Sequence, residues 1–341
     1  MATRSLNTPK AGTAGPTQRV GLLGLGIMGS AMAGNLLKAG FAVSGHDPSA
    51  AARRRLRAAG GQVCADAAAL TGAADVIITS LPSAAALLDC AQRIATAAPP
   101  RGLLVVETST LDVSDKEAAR RVLAAAGVVL LDCPLSGTGA QALRKDLTVY
   151  ASGPSAAIKK LQPVFEGFSK SQFNLGAFGN GMRMKLMANL LVAIHNVSTA
   201  EALLLGQRWG IKPSDAVKVL ADGAGGSRML QVRGPQMENR GWEDATMKVE
   251  VWQKDMKLIA AALREARVPA PLFAATVPIY DAAMGMGHAL HDTAAVFDVL
   301  DRMSSVAGPT GPVGKARPAA KAAPKAAAGP VATPARKTRA A

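Results

Sequence analysis

The chain has 341 residues, 49% of them hydrophobic but only 4% aromatic, and a formal charge of +15. That length holds two domains with cores of their own. Three scattered cysteines, Cys64, Cys90 and Cys133, and four histidines without metal-ligand spacing argue against a disulfide framework and a bound metal, and no apolar run argues for a membrane span or a secretory signal.

A reduced, cytoplasmic protein is the expectation. Residues 1–18 read as a disordered leader. The organised chain opens at Arg19 with RVGLLGLGIMGSAMAGNLLKAG. Its short apolar run, then Gly24, Gly26 and Gly29 in GxGxxG spacing, then an apolar pattern of helical period predict strand, tight turn and helix. Gly24 permits the turn, Gly26 leaves room for a pyrophosphate, and Gly29 allows close helix–strand packing. The helix opens at Ile27 and Met28, where free N–H groups and the dipole favour negative charge. A second strand, 41–45, leads to Asp47, 21 residues after Gly26. An Asp there accepts from both hydroxyls of an adenine ribose and repels a 2′-phosphate, so NAD is the expected cofactor. Arg53, Arg54 and Arg55 stand nearby and keep NADP open.

Strands are expected over 75–81, 103–107 and 128–132, with helices over 49–59 and 84–95 between. This alternation predicts a parallel sheet with ligands beyond its C-terminal strand ends. Two turns fall there. One holds Leu81 and Pro82, the other Ser109 and Thr110, and either faces a cofactor or merely caps a helix. After 132 comes CPLSGTGA. Successive N–H groups at Ser136, Gly137 and Thr138 suit a carboxylate, with the Ser136 hydroxyl added. Strands over 147–152 and 172–176, with a helix over 153–169 between, are expected to complete the sheet.

From 182 to about 208 runs a long, mostly apolar helix. Lys185, Asn189 and Asn196, spaced four and seven apart, share one face. Burial and the helix dipole both lower the pKa of a first-turn lysine, which suits a general acid or base. Equally, such a lysine snorkels to water. His195 lies off this face and reads as a core or interface residue. Further helices are expected over 213–221, 227–232, 244–266, 271–286 and 293–303. Lys254 and Asp255 lie in the third of them, as a substrate or cofactor contact or as a solvated pair.

Four motifs in order then make the chain, from 19 to 303, resemble the β-hydroxyacid dehydrogenase family. They are GLLGLGIMGSAMAGNLLKAG, DCPLSGTGA, GNGMRMKLMAN and KDM. The resemblance implies a Rossmann-type α/β domain (19–178) followed by an all-α substrate and dimerisation domain (179–305), as in 6-phosphogluconate dehydrogenase. It implies Lys185 as catalytic, and Ser136, Gly137, Asn189 and Lys254 as substrate-binding, with Lys254 also lining the cofactor cleft. Thr110 would stand near the nicotinamide ribose. It further implies a small hydroxy-carboxylate substrate and a homodimer or homotetramer. Thr138 stands where the family usually has glycine, and either narrows the pocket, adds a hydroxyl donor or points away. Alternatives are an NADP(H)-dependent semialdehyde reductase of the same family, or a non-catalytic NAD(H)-binding protein. In the latter the tail, 306–341, engages polyanions. That tail has seven Lys or Arg and no acid, reads as disordered, and offers the one route to nucleic acid.

Overall fold

The computed structural model describes residues 18–304, so the expected leader and basic tail lie outside the described residues. Six strands form the first sheet: β1 (Arg19–Leu23), β2 (Ala42–His46), β3 (Gln62–Val63), β4 (Val76–Thr79), β5 (Leu104–Glu107) and β6 (Val129–Asp132). All pair in parallel in the order β3-β2-β1-β4-β5-β6. The helices between them are α1 (Ile27–Lys38), α2 (Ala50–Ala58), α3 (Ala67–Ala73), α4 (Ala84–Thr96) and α5 (Val113–Ala125). Strand order reverses between β1 and β4, which opens a crevice beyond their C-terminal ends. Buried Val20, Leu22, Val76, Ile78 and Val106 fill one face of the sheet, and Leu23, Ile77 and Val105 the other. Burial on both faces explains why these strands read as continuous apolar runs rather than as alternation.

The strands expected to complete that sheet do not join it. Pro134 carries no N–H to continue a ladder, and the chain turns away after β6. It forms β7 (Leu135–Ser136), α6 (Gly139–Leu143), β8 (Thr148–Ala151), α7 (Ser155–Lys160), α8 (Gln162–Phe168) and β9 (Ser171–Asn174). β7, β8 and β9 make a separate three-stranded sheet, linked to β6 by a bridge between Asp132 and Ser152. The single helix expected over 153–169 is two, divided where Pro163 enters the first turn of α8.

The rest is helical: α9 (Asn180–Arg208), α10 (Pro213–Asp222), α11 (Arg228–Asn239), α12 (Val249–Glu265), α13 (Pro271–Gly285), a 3-10 turn at Thr293–Ala295 and α14 (Val296–Met303). By length and composition α9 is apolar enough to cross a membrane, with mean hydropathy 1.3 over its best window. Here it is the central helix, and its buried Ala193, Val197, Ala200 and Leu203 pack with Trp252, Phe273 and Phe297 from the surrounding helices. α12 begins five residues later than expected. Asp292 Oδ2 takes the N–H groups of Thr246 and Met247 and holds that stretch as a loop.

Candidate active site

The glycine turn sits at the C-terminal end of β1. Gly24 has φ +90°, and a Cβ there would overlap the Ser80 carbonyl oxygen. A Cβ on Gly29 would overlap the Gly24 carbonyl oxygen, whereas one on Gly26 would meet only open space. Gly26 is the N-cap of α1 and offers no side chain to its orphan N–H groups. Ile27 is 74% exposed beside them and Met28 is half-buried. An open anion cradle with an apolar rim therefore fits a dinucleotide.

Asp47 follows β2 and holds this turn. Its Oδ2 accepts the Leu25 N–H at 2.7 Å and its Oδ1 the Ser49 N–H at 2.7 Å. Each oxygen keeps a second lone pair for a ribose hydroxyl. Arg53 Nη1 donates to the carbonyls of Asp47 and Pro48, which places a guanidinium at the same edge. On the other side of the crevice Leu81 N–H donates to Ser109 Oγ at 2.8 Å, with Pro82 exposed beside it. Thr110, next in the chain, has its carbonyl taken by Lys254 Nζ at 2.7 Å, a strap from α12 to the loop after β5.

A buried ion cluster that the sequence reading missed organises both sides. Lys116 Nζ, fully buried, lies 2.7 Å from Glu107 Oε2 and 2.7 Å from Asp132 Oδ1, at the ends of β5 and β6. Burial alone would lower the lysine's pKa, but the two carboxylates outweigh it and hold it above its ordinary value. Glu107 Oε1 accepts the Ser109 N–H at 2.9 Å and so fixes the turn that holds Leu81. Asp132 Oδ2 accepts the Met182 N–H at 2.8 Å, and Ser152 Oγ accepts the Gly181 N–H at 2.9 Å. Two first-turn N–H groups of α9 are thereby bound to the strand ends. A Cβ on Gly181 would overlap the Tyr150 carbonyl oxygen, so glycine is required at that approach.

Lys185 follows one turn into α9. It is 8% exposed, and its ammonium has no hydrogen bond or ion pair among the described residues. Burial pushes its pKa down, Asp255 pushes it up, and Lys254 pushes it down again; the net shift is downward. Asn189, one turn further on, donates from Nδ2 to Asp255 Oδ2 at 3.0 Å. Burial raises the Asp255 pKa against the opposing pull of Lys254 and Lys185.

Ser136, Gly137, Thr138, Lys185 and Asn189 line one cavity of about 420 Å³. Gly137 has φ +131°. Thr138 caps α6: its Oγ1 accepts the Gln141 N–H while Gln141 Oε1 accepts the Thr138 N–H. The hydroxyl foreseen as a pocket donor is thus also a helix cap. Asn196, expected on the same face, is buried deeper and bonds Tyr280 Oη at 3.1 Å. Lys254 stands outside this cavity, 3.6 Å from Asp255 Oδ1. His195 is half-buried and does not line the cavity. No cluster of metal-binding side chains occurs among the described residues.

Residues 19–179 match the family described as the NAD-binding domain of 6-phosphogluconate dehydrogenase. Residues 179–300 match that described as NAD-binding of NADP-dependent 3-hydroxyisobutyrate dehydrogenase. The chain is 33% identical over 287 residues to an L-threonate dehydrogenase of Cupriavidus necator, covering 83% of this chain and 96% of that protein. It is 32% identical over 298 residues to the NAD-dependent L-serine dehydrogenase of Pseudomonas aeruginosa, covering 83% and 98%. The crystal structure of 3-hydroxyisobutyrate dehydrogenase from Salmonella typhimurium superposes with a TM-score of 0.73 at 28% identity, over 83% of this chain and 99% of that one.

Proposed function

Because this chain belongs to the 3-hydroxyisobutyrate dehydrogenase-like family of NAD(P)-dependent oxidoreductases, which act on small hydroxy and oxo acids, we propose that it reversibly oxidises a small 3-hydroxy carboxylate with NAD, using Lys185 as the general acid and base. The single observation that carries this reading is the Lys185 ammonium, buried on the wall of the cavity and left without a partner. A buried amine with no hydrogen-bond or ion-pair partner is costly unless a ligand completes it, and a lowered pKa suits proton transfer near neutral pH.

The substrate carboxylate would rest on the Ser136 hydroxyl and the Gly137 N–H, beside Thr138, whose own N–H is held by Gln141 Oε1. Asn189, fixed by Asp255, would orient it. In oxidation neutral Lys185 takes the proton from the C3 hydroxyl; in reduction the protonated lysine returns it. Bound NAD supplies the hydride acceptor. Gly24, Gly26, Ile27, Met28, Gly29, Asp47, Leu81, Pro82 and Thr110 would hold it, with Lys254 closing the cleft. The helix α6, which Thr138 caps, is tied to α1 through Asn35 Nδ2, which donates to the Ala142 carbonyl at 2.7 Å. Two domains, 19–178 and 179–305, would thus face each other across the site. A homodimer or homotetramer in the cytoplasm completes the reading, with exposed Met187, Leu191 and Trp209 available for covering.

A second reading, an NADP(H)-linked semialdehyde reductase, draws on Arg53 beside Asp47. One assay separates them: NADH or NADPH formation from 3-hydroxyisobutyrate, L-serine, glycerate, 3-hydroxypropionate and L- and D-threonate, each with NAD and with NADP. The proposal expects NAD-linked turnover of at least one. Turnover with NADP alone transfers the case to the reductase; none with either defeats the reaction assigned.

A further inference from the structure

The cavity continues past the carboxylate cradle to a cationic rim. Arg228 opens α11, and its Nη2 lies 2.9 Å from Asp146 Oδ2. Lys170, just before β9, lies 3.4 Å from Asp146 Oδ1. All three line the cavity, and so do Thr148 and Ser171, whose hydroxyls bond each other at 2.9 Å. Two cations share one carboxylate, so one positive charge is left over. Asp146 is further engaged by Gln141 Nε2 at 3.1 Å.

Deeper in, Arg233 is 2% exposed. Its Nε donates to Asp292 Oδ1 at 3.0 Å and its Nη1 to Met229 Sδ at 2.9 Å, while Nη2 has no hydrogen-bond partner among the described residues. Asp292, its counter-ion, also takes the N–H groups of Thr246, Met247 and Ala294. Arg233 is thus matched by Asp292, whereas Lys170 and Arg228 have between them only Asp146, the single acid among the cavity's lining residues. One carboxylate of a 3-hydroxy acid, placed on Ser136 and Gly137, leaves that rim charge unmatched.

We infer that this site takes a 3-hydroxy acid bearing a second carboxylate, which Arg228, with Lys170 beside it, receives at the rim. The inference rests on the reading of the cavity as the hydroxy-acid site. The leftover charge at the rim is single, which matches a carboxylate rather than a doubly charged phosphate. Charge-assisted bonds from a guanidinium discriminate about tenfold or more against a ligand that lacks the anion.

The test compares 3-hydroxyisobutyrate with 2-(hydroxymethyl)succinate, which differs from it by one carboxylate on the methyl group. Each is assayed with NAD and with NADP, on the full chain and on Arg228→Gln and Lys170→Gln. The expected result is a kcat/KM about tenfold or more higher for the diacid, with the ratio collapsing toward one in Arg228→Gln. A ratio at or below one in the unaltered protein overturns the inference. So does an equal loss for both acids in Arg228→Gln, which would assign Arg228 to the first carboxylate. If neither acid turns over, the assigned reaction is decided by the wider panel, and calorimetric binding of isobutyrate and 2-methylsuccinate to the NADH-loaded protein decides the inference separately. Tighter diacid binding that Arg228→Gln removes supports it; equal binding overturns it.

Discussion

Asn189 Nδ2 donates to Asp255 Oδ2 at 3.0 Å, and this one bond ties the helix that carries Lys185 to the helix that carries Lys254. It sets an acid and a second lysine around the Lys185 amine with opposite effects on its proton affinity.

The pH profile of oxidation follows from that arrangement. Oxidation needs the neutral amine, so kcat rises with pH through the Lys185 pKa, with a midpoint below the ordinary lysine value of about 10.4. Asp255→Asn removes the charge that raises this pKa, so its limb moves to lower pH. Lys254→Met removes a like charge, so its limb moves to higher pH. Shifts in the same direction, or none, would contradict the assignment of the limb to Lys185.

Lys116→Met strands Glu107 and Asp132 as buried carboxylates without their cation. Breaking a buried pair in this way costs about 3–5 kcal/mol, read as a lowered midpoint in urea unfolding. The first turn of α9 loses its anchor with it. A loss under 1 kcal/mol would mean that the cluster does not hold the strand ends together.

The glycines separate folding from binding. Gly29→Ala drives a methyl into the Gly24 carbonyl and should destabilise the fold by about 1–3 kcal/mol. Gly26→Ala meets nothing in the protein, so its thermal midpoint should stay within a few degrees, while its affinity for NADH, measured by fluorescence titration, falls about tenfold or more. Unchanged NADH affinity in Gly26→Ala would remove the pyrophosphate from this turn.

Asp292 gives the acid stability a direction. Burial raises its pKa, but Arg233 and the N–H groups of Ala294 and Met247 outweigh that and hold it below the ordinary carboxylate range. A group depressed in the folded state stabilises fully above its unfolded value, near 3.9, and loses that contribution as pH falls through the folded one. Asp292→Asn should therefore lower the thermal midpoint at pH 6 and flatten its fall below about pH 4. An unaltered acid slope would show that other carboxylates set it.

Much of this was legible because it depends on local pattern. The glycine spacing, Asp47 and the strands β1, β2, β4, β5 and β6 needed only short apolar runs and turn chemistry. Lys185 and Asn189 were legible as polar interruptions on an apolar helix. β3 and β7 were not, since two-residue strands exist through their pairing partners and leave no periodic signal. The separate sheet β7-β8-β9 depends on the turn at Pro134, which composition does not aim. Lys116 had a faint signal: it lies three and seven residues before buried Ala119 and Leu123, on the apolar stripe of α5. Its two acids lie on different strands, so only tertiary contact reveals that its charge is matched.

The most direct test of the central claim is Lys185→Ala, with turnover on the best acid and NADH affinity measured on the same preparation. General acid–base catalysis contributes about 10²–10⁴-fold. The account predicts a kcat lowered by about that much, with the NADH dissociation constant within about threefold of the unaltered protein's. Unreduced turnover, or losses of turnover and NADH binding of the same size, would contradict Lys185 as the group that moves the proton.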